Sequence, residues 1–305
     1  MTDRTEAVER AVRACYRTWS TTYFEDYYSD KAAYPPVHAR IVRDQLAAAG
    51  ARSVLDAGCG PASMLRLLAM EGLDRYGFDL TPEMVEEARR VLAPDVPGDR
   101  LWQGSVLDAA AFRPPSGRPE LFDAVVCIGV LPHVPAEQDA AVLENLTRAV
   151  VPGGLVMVEG RNELFGLFTL NRYSRGLFRD SLIGEDALAG LARPEERDGL
   201  AAAMAELDER FRLDLPPVRR GEGDDPGYDE VLSRTHNPFV LRGQAEAAGL
   251  SDVEVLFYHY HAVPPMLERH VPDLARRASL AMEDPRDWRG HVMASAFILA
   301  GRRAR

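Results

Sequence analysis

The chain has 305 residues, a 46% hydrophobic content and a formal net charge of −11. Such a length and composition suit a globular protein with a full core, either one large domain or a domain carrying an insertion. The negative charge, with no basic run longer than pairs such as Arg219-Arg220, argues against nucleic acid or bulk membrane as partners and for a small molecule or a protein side chain.

No apolar run approaches a membrane span, and residues 1–6 lack the apolar stretch of a secretory leader. Cys15, Cys59 and Cys127 form an odd set without metal-ligand spacing. Reduced thiols, a cytoplasmic location and no metal are therefore expected.

Residues 4–20 read as a helix with Glu6, Arg10, Arg13 and Arg17 on a polar face and Val8, Val12, Cys15 and Trp19 on an apolar one. Tyr16, Trp19, Tyr23, Tyr27 and Tyr28 crowd aromatic rings into this end. Two readings stand side by side: an aromatic face packed on the core, or a cover over a ligand, where a ring beside a cation gains ~0.5–2 kcal/mol. Pro35-Pro36 opens a helix over 37–49, closed by Gly50.

Residues 53–57 read as a buried strand, followed by the turn Gly58-Cys59-Gly60 and a helix over 62–71. Two glycines one residue apart let backbone approach a ligand. A dinucleotide fingerprint would need a third glycine where Ser63 stands. Asp56 also stands where a pyrophosphate would lie, and like charges ~4 Å apart cost about 4 kcal/mol at an effective dielectric of ~20. The same carboxylate suits a ligand bearing an ammonium group. Tyr76-Gly77-Phe78-Asp79-Leu80 reads as a second strand whose terminal acid, 19 residues past Gly60, can accept hydrogen bonds from ribose hydroxyls.

Thr81 and Pro82 begin a helix over 82–92 that is expected to bury Met84, Val85, Ala88 and Val91. Residues 101–106 form a third strand and 121–130 a fourth, whose apolar run 124–128 predicts burial on both faces. A helix over 136–149 leads through Pro152-Gly153-Gly154 to a fifth strand, 155–159. Alternating strands and helices imply an open parallel sheet with ligands outside the carboxyl ends of its strands. Asp56, Asp79, Ser105 and Ile128 all fall at such ends.

From 161 to 235 the alternation stops. The segment contains an amphipathic helix with Leu200, Met204, Leu207 and Phe211 on one side, then a Gly-, Pro- and Asp-rich loop over 213–235. A lid or acceptor-recognition wall and a homodimer interface are both consistent with it. A helix then runs from His236 to Gly249, followed by a sixth strand, 252–261, on which Phe257, His259 and His261 share one face. A helix over 265–280 and a seventh strand, 291–300, end the chain.

Val54-Leu55-Asp56-Ala57-Gly58-Cys59-Gly60, Gly77-Phe78-Asp79-Leu80, the fourth strand, and the Pro152-Gly153-Gly154 turn with its fifth strand together resemble the class I S-adenosylmethionine (SAM)-dependent methyltransferases. The resemblance covers about residues 50–160. It implies an α/β fold: a doubly wound, mostly parallel seven-stranded sheet with an antiparallel last strand, plus N-terminal helices and a helical insertion after strand five. The expected division is an N-terminal cover (1–50), a SAM-binding core (51–160), a lid or recognition insertion (161–235) and the end of the core (236–305).

By the same resemblance, Asp56 would meet the amino-acid moiety of SAM and Asp79 its ribose, with Gly58, Gly60, Leu80, Ser105, Val106 and Ile128 around the nucleoside and Tyr16 and Tyr23 closing over it. Relatives commonly carry a Gly-Asp pair where this chain has Gly104-Ser105. The Ser105 hydroxyl is then expected on the exocyclic amine and the Val106 amide on the base. His133 follows the fourth strand, which faces the reaction centre in relatives, so it is the first candidate base, with His261 and His236 next. The expected activity is methyl transfer to an O or N atom of a small molecule, in bacterial secondary metabolism. The alternatives are non-methylating chemistry on the same cofactor and a non-catalytic ligand-binding or scaffold protein.

Overall fold

A computed structural model describes residues 3–29, 32, 34–93, 95–216, 218–221 and 223–305. Helices α1 (Asp3–Arg17), α2 (Tyr23–Tyr27) and α3 (Val37–Ala49) lead into an alternation of β1 (Ser53–Ala57), α4 (Ser63–Leu67), β2 (Asp74–Asp79), α5 (Pro82–Leu92), β3 (Leu101–Gln103), β4 (Phe122–Cys127), α6 (Asp139–Ala149) and β5 (Val150–Arg161). Short helices α7 (Gly166–Thr169) and α8 (Arg172–Gly176), a π-helical stretch (Leu177–Ile183), α9 (Glu185–Leu191) and α10 (Arg197–Asp208) follow. The chain closes with α11 (Pro238–Ala247), β6 (Leu250–Tyr260), α12 (Pro272–Ala281), α13 (Gly290–Met293) and β7 (Ala294–Arg303).

The seven strands form one sheet in the order β3-β2-β1-β4-β5-β7-β6. Strands β1 to β5 pair in parallel, with Leu55 opposite both Tyr76 and Val125, and β7 lies antiparallel to β5. This is the doubly wound, mostly parallel sheet expected from the alternation. Val54, Leu55, Val125, Val126, Val156 and Val158 are fully buried, as strands covered on both faces require. The strand order reverses between β1 and β4, where such sheets open a crevice at their carboxyl ends.

Several boundaries depart from the sequence pattern. Helix α1 stops at Arg17, where the Thr18 hydroxyl turns back onto the Cys15 carbonyl. The helix expected over 62–71 lasts only from Ser63 to Leu67, held between Ala62 at φ +62° and a tight turn in which Met70 N–H bonds the Leu68 carbonyl. In α5 the fourth buried residue is Leu92 rather than Val91, because Met84, Ala88 and Leu92 follow a stride of four. Strand β3 ends at Gln103, and β7 begins at Ala294 because residues 291–293 complete α13. The alternation along β6 breaks at His259, whose φ of +60° kinks the strand, although the His259 and His261 rings still stack at 5.2 Å.

The chain divides into two compact units. The first comprises Met1–Arg161, Val218–Leu256 and Ala296–Arg305, and the second Asn162–Pro217 and Phe257–Ser295. Residues 218–235, read from sequence as loop, therefore bring Tyr228 and Val231 into the core of the first unit. Within the second unit Asn162 ties two distant segments together. Its side-chain NH2 donates to the carbonyls of Gly290, His291 and Ala294, and its Oδ1 accepts from Leu164 N–H. Arg175 and Arg179 converge on Asp208, and Arg179 also grips Glu185. Leu200, Met204, Leu207 and Phe211 are each half-buried, in phase with the predicted stripe.

Candidate active site

A cleft of about 970 Å³, counting space open to solvent, lies in the first unit. It is lined by Asp56, Gly58, Gly60, Asp79, Leu80, Ser105, Val106, Ile128, Tyr16 and Tyr23, which are the ten residues expected around a cofactor, and by His133. That size accommodates a nucleoside-sized ligand.

The strand-end wall is built from adjacent carboxyl termini. Gly58 takes φ +89°, and a Cβ there would stand 2.2 Å from Val130 Cγ2, so only glycine lets the β1 turn pass the end of β4. Gly77 performs a similar service beneath it, since a Cβ would meet that of Cys59 at 2.9 Å. Burial pushes the Cys59 thiol well above its ordinary range, so the residue serves by being small and is no thiolate nucleophile.

The two acids on this wall are held differently. Asp79 accepts from Gly60 N–H and Thr81 N–H, each at 2.8 Å, one on each carboxylate oxygen. Burial raises its pKa, and these bonds counteract the rise. Asp56 is only 2% exposed, and its carboxylate accepts no hydrogen bond among the described residues. Burial first, and then the neighbouring charge of Asp79, raise its carboxyl to about 8.

The opposite wall comes from the N-terminal helices. Glu9, Val12 and Tyr16 of α1 share one helical face and line the cleft, joined by Tyr23 and Tyr28. Tyr16 stacks on Trp19 at 5.6 Å, and Tyr16 and Tyr23 pack against a core of Trp19, Met84 and Tyr228. Trp19 is core, while Tyr16 and Tyr23 pack on it and border the cleft. The wall is fastened at several points. Arg17 forms two bonds to Asp225, at 2.9 and 2.8 Å, the Arg219 guanidinium lies 4.4 Å from the Trp19 ring centre, and the Ser105 hydroxyl donates to Glu9 at 2.5 Å. Ser105 thus spends its hydroxyl hydrogen on Glu9 and one lone pair on Leu107 N–H, and keeps one lone pair for a donor such as an exocyclic amine.

His133 is buried at the junction of the two walls. Its Nδ1 lies 2.6 Å from the Leu232 carbonyl and its Nε2 2.8 Å from the Tyr16 hydroxyl. A carbonyl only accepts, so Nδ1 carries the proton and Nε2 accepts from Tyr16. Burial first, then the Arg161 charge, lowers His133 to about 4, and burial raises Tyr16 well above its usual range. The pair is neutral imidazole and neutral phenol.

The other two histidines lie elsewhere. His236 is buried in the first unit, outside the residues lining the cleft, with its Nε2 4.0 Å from Asp139 and neither ring nitrogen hydrogen-bonded among the described residues. Burial, with the charges of Arg234 and Arg161, lowers it to about 3. His261 belongs to the second unit, where its Nδ1 meets Glu268 at 2.6 Å and its ring packs 4.8 Å from that of Phe165.

Glu9, Tyr28 and Met84 line the cleft but were not assigned to it from sequence. For Glu9 the signal existed: Glu9, Val12 and Tyr16 fall three and four residues apart, one helical face that a division into polar and apolar sides cut in two.

A doubly wound sheet of this order, with a glycine turn after β1 and acids ending β1 and β2, defines a Rossmann-like nucleoside-binding class. The family model described as a methyltransferase domain matches residues 54–154, and this stretch is similar to the class I SAM-dependent methyltransferases. Ubiquinone biosynthesis O-methyltransferase of Xanthomonas euvesicatoria pv. vesicatoria (strain 85-10) is 36% identical over 160 residues, 52% of this chain and 59% of that protein. The protein of the same name in Xylella fastidiosa (strain M23) is 32% identical over 139 residues, 45% of this chain and 53% of its own. The matches thus span little more than half the length of these curated relatives. Magnesium protoporphyrin IX methyltransferase from Synechocystis PCC 6803, solved with bound SAM, shares the fold at a TM-score of 0.50 and 14% identity, over 97% of each chain.

Proposed function

We propose that this protein is a SAM-dependent methyltransferase that methylates an oxygen or nitrogen atom of a small molecule, with oxygen favoured by the names of its curated relatives. The observation that carries this reading is Asp56. A buried carboxylate without a donor is costly, and a ligand ammonium would relieve that cost. The chain's own residues fit the rest of the molecule. Asp79 keeps lone pairs for the ribose hydroxyls beyond its two backbone bonds, and the glycine turn allows close approach. Leu80, Val106 and Ile128 give apolar surface to the nucleoside, while Tyr16 and Tyr23 supply rings beside a sulfonium. When bound, SAM supplies a methyl group already activated on sulfur.

What remains is to position the acceptor, exclude water and take up a proton. We assign the proton to the Tyr16–His133 pair. The acceptor hydroxyl passes its proton to the Tyr16 oxygen as the Tyr16 proton moves to His133 Nε2, while Nδ1–H stays on the Leu232 carbonyl. His133 is a weak base, but an oxygen that has just been alkylated is a strong acid, so the transfer runs late and needs no stronger base. The net charge of −11 favours a small acceptor over nucleic acid or a membrane. Titration calorimetry with S-adenosylhomocysteine tests the cofactor: micromolar binding that Asp79→Ala abolishes is expected, and no binding by the wild type sinks the reading. Incubation with SAM and phenolic or hydroxylated acceptors should add the mass of one methyl group.

A further inference from the structure

The carboxylate of Glu9 lies in the cleft wall against Ser105. Its Oε1 accepts from the Ser105 hydroxyl at 2.5 Å, that hydroxyl accepts from Leu107 N–H at 3.1 Å, and Oε2 has no partner among the described residues. One residue away, the Val106 N–H donates to nothing among the described residues, although its carbonyl is held by Asn145. Glu9, Ser105, Val106 and Leu107 all line the cleft. The wall therefore offers an open anionic acceptor and an open amide donor side by side, bordered by Phe78, Leu80 and Met84.

We infer that Glu9 is the specificity-determining residue for the nucleobase: its carboxylate accepts from an exocyclic amine while the Val106 amide donates to the adjacent ring nitrogen. This rests on the cleft binding a SAM-type nucleoside. A 6-amino purine matches the pair of groups. A 6-oxo purine reverses both, setting an oxygen against the carboxylate and a ring N–H against the amide. A hydrogen-bonding site rejects the mismatched analogue because its own buried groups are left unpaired. Because Glu9 sits on α1, the amine also pins that helix, so closure of the N-terminal wall depends on the base.

S-adenosylhomocysteine and S-inosylhomocysteine are the probes. The wild type should bind the adenosyl compound at least about tenfold more tightly, and Glu9→Gln, whose amide can face either edge, should shrink that ratio to within about threefold. Hydrogen exchange on the wild type is independent of how the variant folds: α1 amides should slow more with the adenosyl than with the inosyl ligand. An unchanged ratio in Glu9→Gln, or equal protection of α1 by both ligands, overturns the assignment while leaving the methyltransferase reading intact. Failure of the wild type to bind either probe overturns both.

Discussion

The two walls of the cleft are built on opposite principles. The strand-end wall holds its groups by backbone alone: two glycines, two β-strand ends and two amides on Asp79. It leaves Asp56 electrostatically unrelieved. The N-terminal wall is held by side chains reaching across the sequence, 96 residues from Glu9 to Ser105 and 117 from Tyr16 to His133, and its polar atoms are largely paired with one another. A rigid wall with an unrelieved carboxyl waits for a ligand, whereas a fastened wall of largely paired groups must exchange most of its protein contacts for ligand contacts.

That contrast can be broken by substitution. The largest effect is expected for Asp79→Ala, which removes the ribose acceptor and strands the Gly60 and Thr81 amides. S-adenosylhomocysteine affinity should fall at least about 100-fold by calorimetry, since hydrogen bonds to charged groups contribute about 1.5–3 kcal/mol each.

Asp56→Asn should act in two directions, weakening the ligand about tenfold or more while raising the melting temperature of the free protein. The folded pKa of about 8 lies above the unfolded 3.8, so the folded state binds the extra proton, and wild-type stability falls as pH rises from about 4 to 8. The gain in melting temperature should be absent near pH 4 and largest at pH 8 and above. By the same linkage, ligand binding below pH 8 should release a proton, visible as a buffer-dependent heat. A wild-type melting temperature no more pH-dependent over this window than that of Asp56→Asn would sink the account of the unrelieved carboxylate.

The fastened wall predicts smaller changes. Tyr16→Phe leaves His133 Nε2 without its donor, so a loss of about 1–3 kcal/mol is expected in denaturant unfolding. Because His133 is held near 4, methyl transfer should show no histidine inflection between pH 6 and 7, and one appearing there would mean that its neutral state is not fixed by burial. Smallest of all, Asp225→Asn removes only the partner of an exposed Arg17 and should leave unfolding almost unchanged.

The same contrast explains what the sequence disclosed. The strand-end wall is local, so Asp56, Gly58, Gly60 and Asp79 announce themselves by spacing within one strand–turn–helix–strand stretch, and the sheet follows from the alternation. The N-terminal wall is a tertiary product. Nothing near Ser105 marks Glu9 as its partner, and nothing near His133 marks Tyr16 or Leu232. His236 and His261 were ranked by residue type and position along the chain, which carry no information about the ring's surroundings. Asn162 and Asn171, which no local pattern singles out, cap short helices after β5, and Asn162 also serves three carbonyls of a segment more than a hundred residues away.

The position of β7 has a consequence for how the protein comes into being. It lies between β5 and β6 although both precede it in the chain. During synthesis β5 presents an open hydrogen-bonding edge from the time it emerges until the residues of β7 arrive some 140 positions later. The sheet cannot close progressively behind the ribosome. Its last joint is made when β7 inserts, so truncations or stalled chains lacking those residues should be marked by chaperone binding and aggregation rather than by partial activity.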